Sequence, residues 1–147
     1  MPNAALKVPA VDYLDTKQQI IGKIGDLSEF EIAQEEVLVA IYMRPEKSAG
    51  GIIMTPGNLK EDRYQGKVGL VLKIGESCKF LRTDAKTGRT VGLDIKLHDW
   101  VLMRPSDTWA FDFNSNPTLQ KLEDFVPCRL GYEDYIRARV PHPGVIY

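Results

Sequence analysis

The sequence predicts an all-β domain. Short runs of β-branched and aromatic residues recur along most of the chain, and turn residues separate them. Helical periodicity is almost confined to the first 33 residues. The 147 residues, of which 44% are hydrophobic and 27% charged, suit one domain of ordinary size with a real core. Together these observations favour a small β-barrel or sandwich.

The first 33 residues differ in character from the rest. Residues 1–9 are small and polar with two prolines, a composition typical of a terminus with little fixed structure. Farther on, apolar residues recur at helical spacing, although two glycines lie among them. We expect a short amphipathic helix or an irregular arm, packed on its own domain or on a neighbour. The residues at helical spacing are Ile20, Ile21, Ile24 and Leu27.

From Glu35 onward the pattern changes to strands and turns. Two clear strands are predicted at residues 37–42 and 67–74. A hairpin follows, with its tip at Gly88. The predicted strands after it are residues 100–103, 109–113, 120–125, 126–129 and 135–140, and the hairpin strands are residues 78–82 and 90–93.

No residue pattern points to catalysis, a cofactor or a metal. The two histidines are too few for most metal sites, and phosphate-loop and nucleophile motifs are absent from the sequence. Cys78 and Cys128 fit no metal or redox spacing, so we expect two buried thiols in a reducing cytosol. The net charge of −1 predicts no nucleic-acid partner, and the apolar runs are too short to cross a membrane. The sequence also has no visible secretory signal, and an enzyme is not expected.

One segment is physically unusual. Gly50 and Gly51 precede three large apolar residues, Ile52, Ile53 and Met54, and a Pro-Gly turn follows. The pattern alone favours a short core strand after a flexible turn. The alternative is a loop that presents an apolar tripeptide to a partner and becomes ordered on binding.

Four segments carry a resemblance to a known family. Residues 36–39 and 46–55, with the sequence Ser-Ala-Gly-Gly-Ile-Ile inside them, resemble the opening of the GroES (chaperonin-10) co-chaperonins. Residues 65–75 resemble the family's next strand, and residues 93–102 the strand entered through a Val-Gly-Asp-like corner. Residues 128–136 are similar to the closing element. The segments follow the family's order and cover residues 35–140.

The resemblance implies a fold and a mode of action. The fold would be a GroES-like β-barrel with a mobile loop and a roof-type hairpin at residues 78–96. Ile52, Ile53 and Met54 would dock on a chaperonin ring (GroEL-like), with Gly50 and Gly51 as the hinge. A homo-oligomer is implied, a heptamer in the co-chaperonin case, so that weak contacts act together. His98 stands where the family generally has Gly.

The termini distinguish this chain from the ordinary family. We predict an extended N-terminal arm at residues 1–33, a barrel at 34–140 and an extended C-terminal tail at 141–147, features that resemble divergent GroES-like proteins of tailed bacteriophages. Two functions follow. The first is a phage co-chaperonin that caps the host ring, in the host cytoplasm, during folding of the capsid protein. The second is a virion structural protein, such as a head decoration protein, that binds phage capsid protein and holds its neighbours with the arms.

Overall fold

The structure of the protein is a computed structural model, which describes residues 12–44, 67–114 and 125–146. The predicted docking residues Gly50 to Met54 and most of the predicted strand at 120–125 lie outside these ranges. The elements in chain order are α1 (Tyr13–Ile24), β1 (Glu36–Ile41), β2 (Val68–Ile74), β3 (Leu81–Thr83), β4 (Thr90–Gly92), β5 (Trp100–Met103), β6 (Trp109–Phe113), β7 (Val126–Tyr132) and β8 (Ile136–Val140).

Six of the strands form one antiparallel sheet in the order β6-β7-β1-β2-β5-β8. β3 and β4 pair separately as the predicted hairpin, and Gly88 near its tip has a positive φ of 69°. With one short helix beside eight strands in the described residues, the all-β prediction is confirmed. Within those residues no pairing joins the two edge strands, β6 and β8, so the described sheet is open.

The sheet curls strongly. β7 and β8 are four strand steps apart, about 19 Å in a flat sheet. Only a 3₁₀ turn, Glu133–Tyr135, connects them, and the chain from Tyr132 to Ile136 can span at most about 14 Å. Register shifts at Leu38/Val39 and Leu102/Met103 interrupt the ladders, and such bulges increase local bending.

Both faces of the sheet are buried. Alternate residues of β1 belong to two hydrophobic clusters, since successive side chains of a strand point to opposite faces. We call one the helix-side cluster, because it contains a residue of α1, and the other the corner-side cluster, because it contains Ile95 from the corner at residues 93–102. The helix-side cluster includes Leu38, Ala40, Tyr42, Leu70 and Trp100, with Ile24 of α1. The corner-side cluster includes Val37, Val39, Ile41, Val101 and Tyr135.

The described part of the N-terminal segment packs on its own domain. Asp12 caps α1 by accepting hydrogen bonds from the backbone N–H groups of Leu14 and Asp15. After the helix, Lys73 of β2 donates from Nζ to the carbonyl oxygens of Leu27, at 2.8 Å, and Phe30. Residues 12–33 are therefore a helix and a clamped segment packed on their own domain, as the first of the two alternatives predicted, and this part of the chain is not an extended arm.

The described C-terminal residues also fold back. They form a 3₁₀ turn, Pro143–Val145, in which Pro143 is buried. The His142 ring stacks on Tyr13 of α1 with ring centroids 4.9 Å apart, and its Nδ1 accepts a hydrogen bond from the Gly144 N–H. The tail and the helix therefore support one another.

Candidate functional site

The candidate site is the end of the sheet at which β1 ends and β2 begins, with residues 42–67 between them in the chain. These residues connect β1 to β2, which are hydrogen-bonded neighbours. Adjacent antiparallel strands need only about 2–5 residues to join them, so this connection is far longer than the fold requires. All five predicted docking residues, Gly50, Gly51, Ile52, Ile53 and Met54, fall within it and lie outside the described residues.

Both stems of this connection are firmly held. The Tyr42 N–H donates to the Val68 carbonyl oxygen at 2.8 Å, and the Met103 N–H donates to the Lys67 carbonyl oxygen at 2.7 Å. The Tyr42 side chain is only 3% exposed and meets Trp100 edge-on, with ring centroids 5.8 Å apart. The stems thus belong to the core, and the long connection begins from a rigid base.

A second long connection leaves the same end of the sheet. It joins β6 to β7, whose last described pair is Phe113 with Val126. Ala40 of β1 pairs with Cys128, which brings Val126 beside the end of β1 where the first connection starts. The topology therefore gathers both long connections at one end of the domain.

An apolar cavity of about 270 Å³ lies between this end of the sheet and α1. The walls come from the end of β1, the start of β7 and one face of the helix. Its lining includes Ile20, Tyr42, Met43, Phe125 and Pro127. The helix thus forms part of the surface beside the stems, which the sequence alone did not predict.

The hairpin belongs to the opposite end of β2. A groove of about 460 Å³ separates the hairpin from the end of β7 and the start of β8, and its rim carries both charges. Glu133 accepts a hydrogen bond from the Lys79 N–H, and Asp134 lies 3.9 Å from the Arg104 guanidinium. The predicted docking connection and the hairpin therefore emerge at opposite ends of the same strand.

Burial is the main cause of the pKa shifts of both cysteines and of Tyr135. It raises the pKa of the Cys128 thiol to about 12 and that of Cys78 to about 11, where nearby Glu133 adds to the effect. Both thiols are therefore neutral and unreactive near pH 7. Burial also raises the pKa of Tyr135, whose hydroxyl donates to the Val37 carbonyl oxygen at 2.9 Å. No group of His, Cys, Asp and Glu in residues 12–44, 67–114 and 125–146 could hold a metal ion.

Sequence reasoning missed two surface features. Trp109 begins β6 and is 78% exposed, and an open cleft lies beside β8. The alternation of β6 places Trp109 on the same face as Phe111 and Phe113, which are half-buried. Phe30 of the N-terminal segment contacts the rings of Phe111 and Phe113 on that face.

Known proteins give no independent identification. Within the described residues, no helix is long and apolar enough to cross a membrane. No protein-family model matches the chain, and no curated protein matches it.

Proposed function

We propose that this protein is a GroES-like co-chaperonin that docks on a chaperonin ring through Gly50, Gly51, Ile52, Ile53 and Met54. The client suggested by the resemblance is a phage capsid protein, folded in the host cytoplasm. The proposal includes a GroES-like barrel arrangement of the curled antiparallel sheet and a ring of several copies.

The observation that carries the proposal is the long connection between β1 and β2. It contains the Ser-Ala-Gly-Gly-Ile-Ile sequence, and its stems at Tyr42 and Val68 are held in the core. A contact made by one short apolar segment is weak, because ordering the segment costs free energy. A ring of protomers offsets that cost, since every later contact forms at high effective concentration.

Two further features support it. The hairpin stems from the end of β2 opposite the long connection, as a roof-type hairpin requires. His98, at the position where the family generally has Gly, has a φ of 67°, in the left-handed region that favours Gly. The corner therefore has the backbone conformation that a family Gly would suit.

The virion alternative requires termini that hold neighbouring molecules. In the described residues, α1 packs on the sheet, and the turn at Pro143–Val145 packs against Tyr13 of α1. This packing favours the co-chaperonin proposal over a clamp built from residues 12–33 and 141–146.

Binding to a chaperonin ring tests the proposal. The purified protein, mixed with a double-ring chaperonin and ATP, should co-migrate with the ring on size exclusion. Ile53→Asp should abolish co-migration and leave the thermal unfolding curve unchanged, because a charge cannot enter an apolar binding groove without a large desolvation cost.

Leu97→Asp is the matched control, since Leu97 is an exposed apolar residue elsewhere in the domain, and it should still bind. If Ile53→Asp unfolds the protein, the segment is core and the docking proposal is wrong. Failure of the wild type to bind any ring, together with stoichiometric amounts in purified phage particles, would establish the virion alternative.

A further inference from the structure

The groove between the hairpin and the start of β8, which we call the hairpin groove, has a mostly apolar lining. Its volume of about 460 Å³ falls in the range of about 300–1,000 Å³ that is typical of clefts for compact ligands. The hairpin contributes Phe80 and Leu93, and the other wall contributes Tyr132 and Ile136. Leu93 and Tyr132 are 38% and 48% exposed, so a partner that covers them removes further apolar area from water.

Both walls of the hairpin groove are held in place. At the hairpin wall, the Leu93 N–H donates to the Phe80 carbonyl oxygen at 3.2 Å, and Gly92 has a φ of 104°. A Cβ at position 92 would lie 1.8 Å from the same carbonyl oxygen, so glycine is required there. At the other wall, the Glu133 N–H donates to the Glu35 carbonyl oxygen at 3.0 Å. Because the walls are already ordered, binding costs them little conformational entropy.

The two carboxylates of the groove lining already have partners within the protein. Glu133 accepts a hydrogen bond from the Lys79 N–H, and the Asp134 carboxylate lies 3.9 Å from the Arg104 guanidinium. Each carboxylate is therefore partly compensated by a donor of the chain itself.

The cations of the groove lining lack such compensation. Lys79, Arg82 and Arg137 are all exposed, and none of them forms an ion pair within residues 12–44, 67–114 and 125–146. The Arg137 guanidinium reaches only the Asp134 carbonyl oxygen, at 3.5 Å. The uncompensated charge of the groove is therefore positive, although its rim carries residues of both signs.

We propose that the hairpin groove binds a short acidic peptide segment of another protein. An apolar side chain of the peptide lies against Leu93 and Tyr132, and its carboxylates pair with Arg82 and Arg137. Arginine suits this role, because its planar guanidinium can bond both oxygens of a carboxylate. The pairing supplies orientation, and the apolar contact supplies buried area.

The groove fits a peptide better than a nucleic acid. Leu93 and Ile136 are aliphatic and offer a surface for an apolar side chain, whereas single-stranded nucleic acids rely on bases stacked on aromatic rings along a basic groove. Glu133 and Asp134 at the rim would repel a continuous phosphate backbone, but a peptide can place its few carboxylates away from them. This inference goes beyond the proposed function, since no chaperonin and none of the residues 50–54 take part in it.

Isothermal titration calorimetry with unlabelled peptides tests the groove. The probe is the peptide Gly-Asp-Leu-Glu-Phe-Asp-Leu-Gly. One comparison peptide has Lys in place of each acidic residue, and the other has Ser in place of Leu and Phe. Only the probe should bind the full-length protein saturably, and its affinity should fall as the salt concentration rises, because salt screens exposed charges.

Substitutions in the hairpin groove locate the contact. Arg82→Glu and Arg137→Glu should each weaken binding of the probe by about tenfold or more, because each places like charges across the contact. Leu93→Ser should also weaken binding, since it removes apolar area from the wall. The arginine variants should keep the wild-type melting curve, because both side chains are exposed.

Arg89→Glu is the matched control. It makes the same charge change at an exposed residue of the same hairpin, and Arg89 is not part of the groove lining. At physiological salt it should bind the probe within about twofold of the wild type, because exposed charges more than a Debye length apart are screened.

The proposal is wrong if the probe fails to bind at a protein concentration of about 1 mM, the weak end of measurable affinity. It is also wrong if Arg89→Glu weakens binding as much as Arg82→Glu, or if the peptide with Ser binds as tightly as the probe. Tighter binding of a single-stranded oligo(dT) than of the probe would overturn it too, since the groove would then act on phosphates. These assays contain no chaperonin, so their failure is distinguishable from failure of the docking proposal, which Ile53→Asp tests separately.

Discussion

At the residue scale, Gly69 and His98 show two different backbone requirements. Gly69 of β2 lies so close to β1 that a Cβ would be 2.2 Å from Cγ1 of Val39. His98 has a φ of 67°, and its N–H donates to the Val71 carbonyl oxygen at 2.8 Å. Position 69 requires glycine because a Cβ would clash with Val39. Position 98 would favour glycine because its backbone is in the left-handed region.

We expect His98→Gly to stabilise the protein. The left-handed conformation costs an L-residue roughly 1 kcal/mol, and relief of this strain exceeds the entropy that glycine adds to the unfolded chain. The expected gain is about 0.5–1 kcal/mol in the free energy of unfolding, and His98→Val should lose at least as much because a branched Cβ is crowded there.

Urea denaturation measures both changes. Leu97→Gly is the matched control, because Leu97 is exposed in the same corner without a positive φ, and it should destabilise. A loss of stability in His98→Gly as large as in Leu97→Gly would contradict the strain argument.

At the element scale, the N-terminal segment behaves as part of the domain because β2 holds it. Lys73 donates to two carbonyl oxygens of this segment, and the rings of Phe30 and Phe111 lie 6.3 Å apart. The helix before it contributes the buried Ile24 to the helix-side cluster. The apolar residues of α1 at helical spacing, Ile20, Ile21 and Ile24, therefore cover the helix-side face of the sheet.

We expect Lys73→Met to loosen this segment while the sheet stays folded. The substitution leaves the carbonyl oxygens of Leu27 and Phe30 without their donor, at a cost of about 1–3 kcal/mol if they stay buried. Amide hydrogen exchange in residues 25–33 should rise, and proteolysis there should become faster.

Lys86→Met, at the exposed hairpin tip, is the control and should leave exchange unchanged. Equal exchange in Lys73→Met and the wild type would show that the aromatic contacts suffice to hold the segment.

At the scale of the whole molecule, stability depends on neutral buried groups. The corner-side cluster encloses Tyr135, and the helix-side cluster encloses Cys128. Burial raises the pKa of both side chains, so the folded state favours their protonated forms. Deprotonation is easier in the unfolded chain, where water surrounds these groups.

We expect stability to fall as the pH rises above 9. Burial raises the pKa of Cys128 from 9.0 to about 12, so between these values the unfolded chain binds fewer protons than the folded one. The stabilisation is complete below pH 9 and is lost as the pH rises toward the folded value, by about 1.4 kcal/mol per pH unit for this group.

Urea midpoints at several pH values check this slope. Cys128→Ala should be less stable at pH 7, because it leaves a small cavity, yet show a shallower decline above pH 9. Parallel declines in the two proteins would mean that other groups control the alkaline transition.

Much of the fold was predictable because its signals are local. Strands at residues 37–42, 67–74, 100–103 and 109–113 were read from β-branched and aromatic runs, and each agrees with a strand of the sheet to within one residue. The helical spacing of Ile20, Ile21 and Ile24 also predicted a helix there. The candidate docking residues came from one local motif, and their role stays a prediction.

The sequence by itself determined the all-β class, the hairpin and the placing of the apolar tripeptide between two strands. Tertiary structure alone decided that Trp109 is exposed, that residues 12–33 cover the sheet and that both long connections share one end. These properties depend on strand order, curl and register, which arise from contacts between residues far apart in the chain. Local periodicity fixes which side of a strand is apolar, but only packing determines what covers it.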